Sequence, residues 1–303
     1  MSPDAHGALH LWVSPTGITL FLILASIVYL RGWRRLRIAL PKEVNKWRLA
    51  TTMTGVLATW AAVGSPLAAL DHEFLTVHMV QHLLLMTVAA PLLLLGAPMI
   101  ALLNGLPRPL VIRVLRPLVR WSPARKLERI VAHPMFCWLG STAAVIGWHI
   151  PPLFELGVRT EKWHEVEQAC FLAAGLLFWL PVVQPWPSVA RWPRWSVPLY
   201  LFLATLPCDV LSAFLTFCDR VVYPHYLSSH GAATMSPLGD QERAGALMWI
   251  CVTFAYLAPA AVITIQILSP REHSSKTAMV GRFGAPNEIL YNSDHATSSS
   301  EQL

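Results

Sequence analysis

Two histidines, His78 and His82, stand four residues apart in the stretch DHEFLTVHMVQHLLLMTVAAPLLLLGAPM. On a helix that spacing puts both imidazoles on one face, with Cβ atoms about 5–6 Å apart, close enough for two rings to reach one ion. Met86 extends the same stripe by a further turn. Imidazole suits copper and zinc, and a thioether adds a preference for Cu(I). Asp71, His72 and Glu73 precede the pair as an acidic, histidine-bearing entrance. The plainer alternative is a pair of histidines hydrogen-bonded to neighbouring helices, with Met86 as packing.

A second group lies in EKWHEVEQACFLAAGLLFW, where His164 is followed at three and four residues by Glu167 and Gln168. All three share a helix face. They complete a metal site begun elsewhere, or Glu167 orients a ligating histidine, or the group only caps a polar first turn. His149, in GWHIPPLFE, sits beside Trp148 and a Pro-Pro break, as a further ligand or as part of an interfacial Trp-His belt. Thr205, Asp209, Ser212 and Thr216 form a polar stripe that must face other helices. Within it Asp209 serves proton or ion movement, or is held neutral in a hydrogen bond. VVYPHYLSSH offers Tyr223, His225 and Tyr226, and DQERAGALMW offers Asp240, Gln241, Gly245, Met248 and Trp249. Asp240 suits a helix N-terminus, and Met248 lies two turns further in on the same side.

The elements carrying these residues are membrane spans. The 303 residues are 54% hydrophobic and only 13% charged, against about 25% charged in soluble domains. Apolar runs such as Ile18–Leu30, Leu83–Leu95 and Ala169–Pro181 approach the ~20 residues that a bilayer core requires. The sequence predicts an all-α polytopic protein with seven transmembrane helices, at 14–31, 48–70, 74–103, 133–153, 163–184, 196–218 and 241–268. Residues 1–13 are then an extracytoplasmic segment, 14–268 the transmembrane domain, and 269–303 a polar, disordered cytoplasmic tail. Residues 107–129, with regularly spaced Arg, suit an interfacial helix.

Orientation follows from charge. With the N-terminus outside, the inner segments 31–48, 104–132, 185–197 and 269–303 hold 7, 7, 2 and 3 Lys and Arg, nineteen of the 23. The positive-inside rule therefore places the C-terminus in the cytoplasm. Residues 1–13 carry no Lys or Arg, whereas Arg31, Arg34, Arg35 and Arg37 follow the first run. That charge order is the reverse of a signal peptide's and marks an uncleaved first helix. Nine of the twelve histidines fall in outer segments or outer halves of spans, so chemistry is expected there. The formal charge of +6 does not indicate nucleic acid, because the basic residues are confined to a few loops. Five scattered cysteines without CxxC spacing exclude a disulfide framework or zinc knuckle.

Taken together, HMVQHLLLMTVAAPLLLLGAP, WHIPPLFE, HEVEQACFLAAGLLFW, VYPHY and DQERAGALMW resemble, in order, the motifs of the CtaG membrane family of cytochrome c oxidase assembly factors, the type associated with the caa(3) oxidase of bacilli. The resemblance covers roughly residues 45–270. It implies a non-enzymatic, multi-pass protein of a bacterial plasma membrane that works with oxidase subunits, helping the copper centres of a haem-copper oxidase to form. The Cys-based motif of the unrelated single-span copper chaperone that shares the family's name is absent. Asp209 is a departure, because the family pattern does not require an acid there.

The leading expectation is a copper ion held at the outer face by His78 and His82. His164, Glu167 and His149 support them, with Met86 and Met248 as softer ligands. A copper or proton transporter gains from Asp209 but lacks a continuous polar path to the inner face. A haem-binding cytochrome would need partners for His78 and His82 from other helices. A scaffold that binds no metal is the fourth alternative.

Overall fold

The computed structural model describes residues 16–41, 44–65, 67–115, 133–185, 193–229 and 235–269. The expected N-terminal segment 1–13, most of the interfacial helix expected at 107–129, and nearly all of the cytoplasmic tail lie outside the described residues. Among the described residues all regular structure is helical. The chain runs through α1 (Thr16–Ala39), α2 (Lys46–Val63), α3 (Leu67–Leu70) and α4 (Leu75–Leu83), then a π-helical segment, Leu84–Ala89, and α5 (Ala90–Leu95). There follow α6 (Pro98–Gly105), α7 (Arg108–Leu110) with a π-helical turn Val111–Leu115, α8 (Pro134–His149) and α9 (Pro151–Arg159). The remainder is α10 (Glu161–Val183), α11 (Ser196–Phe217), α12 (His225–Ser229) and α13 (Pro237–Leu268). Residues up to Ile263 belong to one compact unit; of a second unit, Thr264–Leu303, the described part is the end of α13 and Ser269.

Among the described residues five helical stretches are long and apolar enough to cross a membrane: Gly17–Ala39, Leu75–Leu95, Glu161–Val183, Ser196–Phe217 and Pro237–Leu268. The other two expected spans coincide with α2, whose 18 residues include Lys46 and Arg48 in the first turn, and α8, of 16 residues. At 1.5 Å per residue α8 covers about 24 Å, short of a bilayer core of about 30 Å. Helix length and apolarity thus make five of the seven expected spans candidate membrane crossings.

Proline sets two boundaries. The expected single span 74–103 breaks at Gly96 and Ala97, where the ring of Pro98 disfavours right-handed helical backbone at the residue before it. Ala97 takes a left-handed conformation, φ 48°, before α6 restarts. The span expected at 133–153 ends at His149 for the same reason: Ile150 is extended, and Pro151 begins α9.

Side chains are distributed as lipid requires. Leu20, Phe21 and Ile27 on α1 and Val210, Phe214 and Phe217 on α11 face outward. Inside, Thr52 and Thr59 satisfy their hydroxyls by donating to the carbonyls of Arg48 (3.0 Å) and Gly55 (2.9 Å), so no polar group of theirs meets hydrocarbon. Small residues set the tightest approaches. A Cβ on Gly175 of α10 would lie 2.9 Å from the Cα of Met86 and the Cβ of Ala90, and the indole of Trp179 donates to the Met86 carbonyl at 2.9 Å. That carbonyl belongs to the π-helical segment just past His82. Such segments are frequent at functional sites, and here α10 is drawn against the helix that carries the histidine pair.

Candidate metal centre

The first N–H groups of α4 are capped from another helix. The carboxylate of Asp240, in the first turn of α13, accepts from the backbone N of Leu75 (2.6 Å) and Thr76 (3.2 Å) and from the Thr76 hydroxyl (2.6 Å). A negative charge at this positive helix end is stabilising, and it fixes the start of the helix that bears His78 and His82. The helix terminus that Asp240 serves is thus that of α4, across the bundle. Beside it, Gln241 accepts from Val222 N (2.7 Å) and donates to Arg220 O (3.1 Å), holding the loop before α12. Replacing Asp240 by Ala leaves buried donors unpaired, at about 1–3 kcal/mol. Thermal unfolding in detergent should rank wild type above Asp240→Asn, which keeps one acceptor, and Asp240→Asn above Asp240→Ala. Equal stability of all three would contradict the cap.

The two imidazoles meet as their spacing predicts, Nε2 to Nε2 at 2.8 Å. Glu167 Oε1 reaches across from α10 to lie 3.5 Å from His78 Nε2 and 3.4 Å from His82 Nε2. Its other oxygen is 3.4 Å from His164 Nδ1, and His164 Nε2 is 2.8 Å from Asp71 Oδ2. Two sets of donor atoms result, Asp71–His78–His164 and His78–His82–Glu167, each converging within 4.8 Å. His78 belongs to both. All five side chains are buried, His78 and Glu167 to 1% exposure.

The surroundings hold this geometry. His82 stacks on Phe171 with ring centroids 3.9 Å apart, and His78 lies 4.9 Å from Phe154. A Cβ on Gly157 of α9 would fall 2.6 Å from Glu167 Oε2, so glycine there leaves the carboxylate its place. Among the described residues, His78 Nδ1, His82 Nδ1 and both amide atoms of Gln81 are buried without a hydrogen-bond partner. The two overlapping sets, three imidazoles and two carboxylates in all, are buried and of types that could hold a borderline divalent cation.

The rim of the cluster around Asp71 is polar. His72 is exposed, its Nε2 3.6 Å from Asp71 Oδ1 and its ring 5.6 Å from that of His164 and 6.4 Å from that of His225. Burial alone would raise the Asp71 pKa; the imidazoles of His164, His78 and His72 outweigh it and hold the carboxyl below the usual range. Burial lowers the His72 pKa against the pull of Asp71, favouring the neutral ring. Tyr226 donates to the Asp71 carbonyl at 2.8 Å and His225 N donates to Glu155 Oε1 at 2.9 Å, fastening α12 over this end. Burial, reinforced by nearby carboxylates, pushes the Tyr226 hydroxyl well above its ordinary pKa, so it stays a donor.

The structure therefore gathers His78, His82, His164 and Glu167, and adds Asp71. It places His149, Met86 and Met248 around a neighbouring cavity that His82 also lines. Glu73 is exposed, and Asp209, half-buried on α11, is not among the converging donors. Asp71 escapes a search by helical spacing because it stands in the turn before α4, where no periodicity links it to His164. Its signal was its neighbourhood, since it directly precedes His72 and lies seven residues before His78.

A model of the cytochrome c oxidase caa3 assembly factor family (Caa3_CtaG) matches residues 27–269, which contain every residue of this cluster. Relatives include uncharacterized proteins of Mycobacterium bovis and Mycobacterium tuberculosis, each 27% identical over 235 residues, 74% of this chain and 35% of theirs. A Mycobacterium leprae protein, also uncharacterized, is 26% identical over 243 residues, 75% of this chain and 35% of its own. The chain thus spans about a third of the length of these relatives. No solved structure matches it.

Proposed function

We propose, from the premise that this chain belongs to the cytochrome c oxidase caa3 assembly factor family, that it assists formation of the oxidase copper centres by holding copper at the Asp71–His78–His82–His164–Glu167 cluster. Membership supports a role in oxidase assembly. The observation that supports copper handling is the convergence of three imidazoles and two carboxylates from α4, α10 and the turn at Asp71. Residues 27–269 are thereby read as a docking and delivery module for oxidase subunits within a bacterial plasma membrane. A haem role is disfavoured by the 2.8 Å approach of His78 and His82, which turns both Nε2 atoms toward each other.

The function is tested by deleting the gene. Oxidase polypeptides should persist in the membrane while copper content and activity fall, and haem content should suffer less. A fully active, copper-replete oxidase in the deletion strain would overturn the proposal.

The cluster is proposed to open toward the extracytoplasmic side, within seven spans and with the C-terminus in the cytoplasm. The 19-to-4 division of Lys and Arg supports this orientation. A reporter active only outside the cytoplasm should give signal when fused after Arg159 and none after Arg108; the opposite pattern would invert the topology.

A further inference from the structure

We infer that the cavity beside the His/carboxylate cluster is a second metal site, of soft donors, that takes a monovalent d10 ion of the Cu(I) class. Its core is the pair His149 Nε2 and Met79 Sδ, 3.4 Å apart. That is about the separation two ligands of one ion keep at bond lengths near 2.0 Å to nitrogen and 2.3 Å to sulfur. His149 is set up to ligate. Its Nδ1 lies 2.7 Å from the Val145 carbonyl, which can only accept, so Nδ1 carries the proton and the neutral ring turns its Nε2 lone pair toward the thioether. Tyr223 fixes the same residue from the backbone side, donating to the His149 carbonyl at 3.1 Å.

The rest of the lining is of the same chemical kind. Met86, Met248 and Cys208 add sulfur, His82 forms the wall shared with the first cluster, and the volume of about 30 Å³ is that of a single small occupant. Among the described residues no carboxylate lines the cavity. A divalent ion would bring two uncompensated charges into an apolar interior, a severe penalty. A soft monovalent ion brings one, and thioether and imidazole bind it well. The first cluster, with two carboxylates, has the opposite preference. The two sites therefore sort ions by charge and softness, with His82 between them. This inference adds a site to the proposed function and rests on the His149–Met79 geometry, not on the first cluster's being occupied.

The test uses the full-length protein in detergent, loaded with Cu(I) under reductant or with Ag(I), and read by X-ray absorption and by competition with a Cu(I) chelator. Wild type should show a sulfur shell near 2.3 Å. Met79→Leu, which conserves volume, should weaken Cu(I) binding at least tenfold and diminish that shell, leaving Zn(II) binding unchanged. His78→Ala/Glu167→Gln should lose Zn(II) and retain the Cu(I)–sulfur signal. A wild-type spectrum without sulfur, or Met79→Leu with unaltered affinity and shell, would overturn the second site. Loss of the Cu(I)–sulfur signal in His78→Ala/Glu167→Gln would also overturn it as a separate site. Failure of Zn(II) to bind wild type, with the sulfur shell present, would instead count against the first cluster alone and leave the second supported.

Discussion

Purified protein carrying His78→Ala together with His82→Ala is expected to lose essentially all divalent copper or zinc binding at the His/carboxylate cluster. His78 contributes to both converging donor sets, so its removal dismantles each of them at once. Removing His82 takes away the ring whose Nε2 faces His78 at 2.8 Å. Glu167→Gln should have a graded effect, about 10- to 100-fold weaker binding, because the side chain keeps its shape and loses the charge that faces three imidazoles. His133→Ala, at the far end of α8 from His149, serves as the control and should bind as wild type. Metal content measured after dialysis decides the matter: equal loading of all four proteins would remove the His/carboxylate cluster as a metal site. Affinity should fall with pH, since a histidine must be deprotonated to ligate. Asp71 should not limit this decline. Its carboxyl is held below the usual range, so its charge, and the stability that charge confers, persist above its ordinary pKa and are lost only as pH falls through the lowered value.

The second large effect is expected in the cell. His78→Ala/His82→Ala, expressed in a strain lacking the native gene, should reproduce the deletion: oxidase subunits in the membrane, little copper in them, little activity. The variant protein itself should accumulate normally. α4 is held at its N-terminus by Asp240 and not by the histidine pair, and α10 is held against the segment past His82 by Trp179 and Gly175. Added copper should partly restore activity by mass action, because an unassisted oxidase site still fills when the free ion is abundant. Complementation at the wild-type level by the double variant would show that the chemistry lies elsewhere. The His149–Met79 cavity and Asp209 would then be the next positions to test.

Much of the fold and part of the site follow from sequence alone, for reasons that are local. A bilayer admits few segment types, so low charge and long apolar runs point to an all-helical membrane protein. The 3.6-residue repeat determines that His78 and His82 share a face, as do His164 and Glu167. The breaks before Pro98 and Pro151 instead interrupt spans that apolarity alone carries through to 103 and 153. The helices' partners, by contrast, depend on tertiary packing, because the spacing of residues along one helix does not encode which other helix lies opposite. Only the packed structure turns Glu167 toward the His78/His82 pair, brings Asp71 from a non-periodic turn onto His164, and gives the carboxylate of Asp240 to α4. Depth is likewise a tertiary property. The sequence groups His149, Met86 and Met248 with the ligands of the His78/His82 pair, yet packing sets them around a neighbouring cavity, where His149 Nε2 lies 3.4 Å from Met79 Sδ. Two donor sets of different hardness arise where the sequence presents a single list of histidines and methionines.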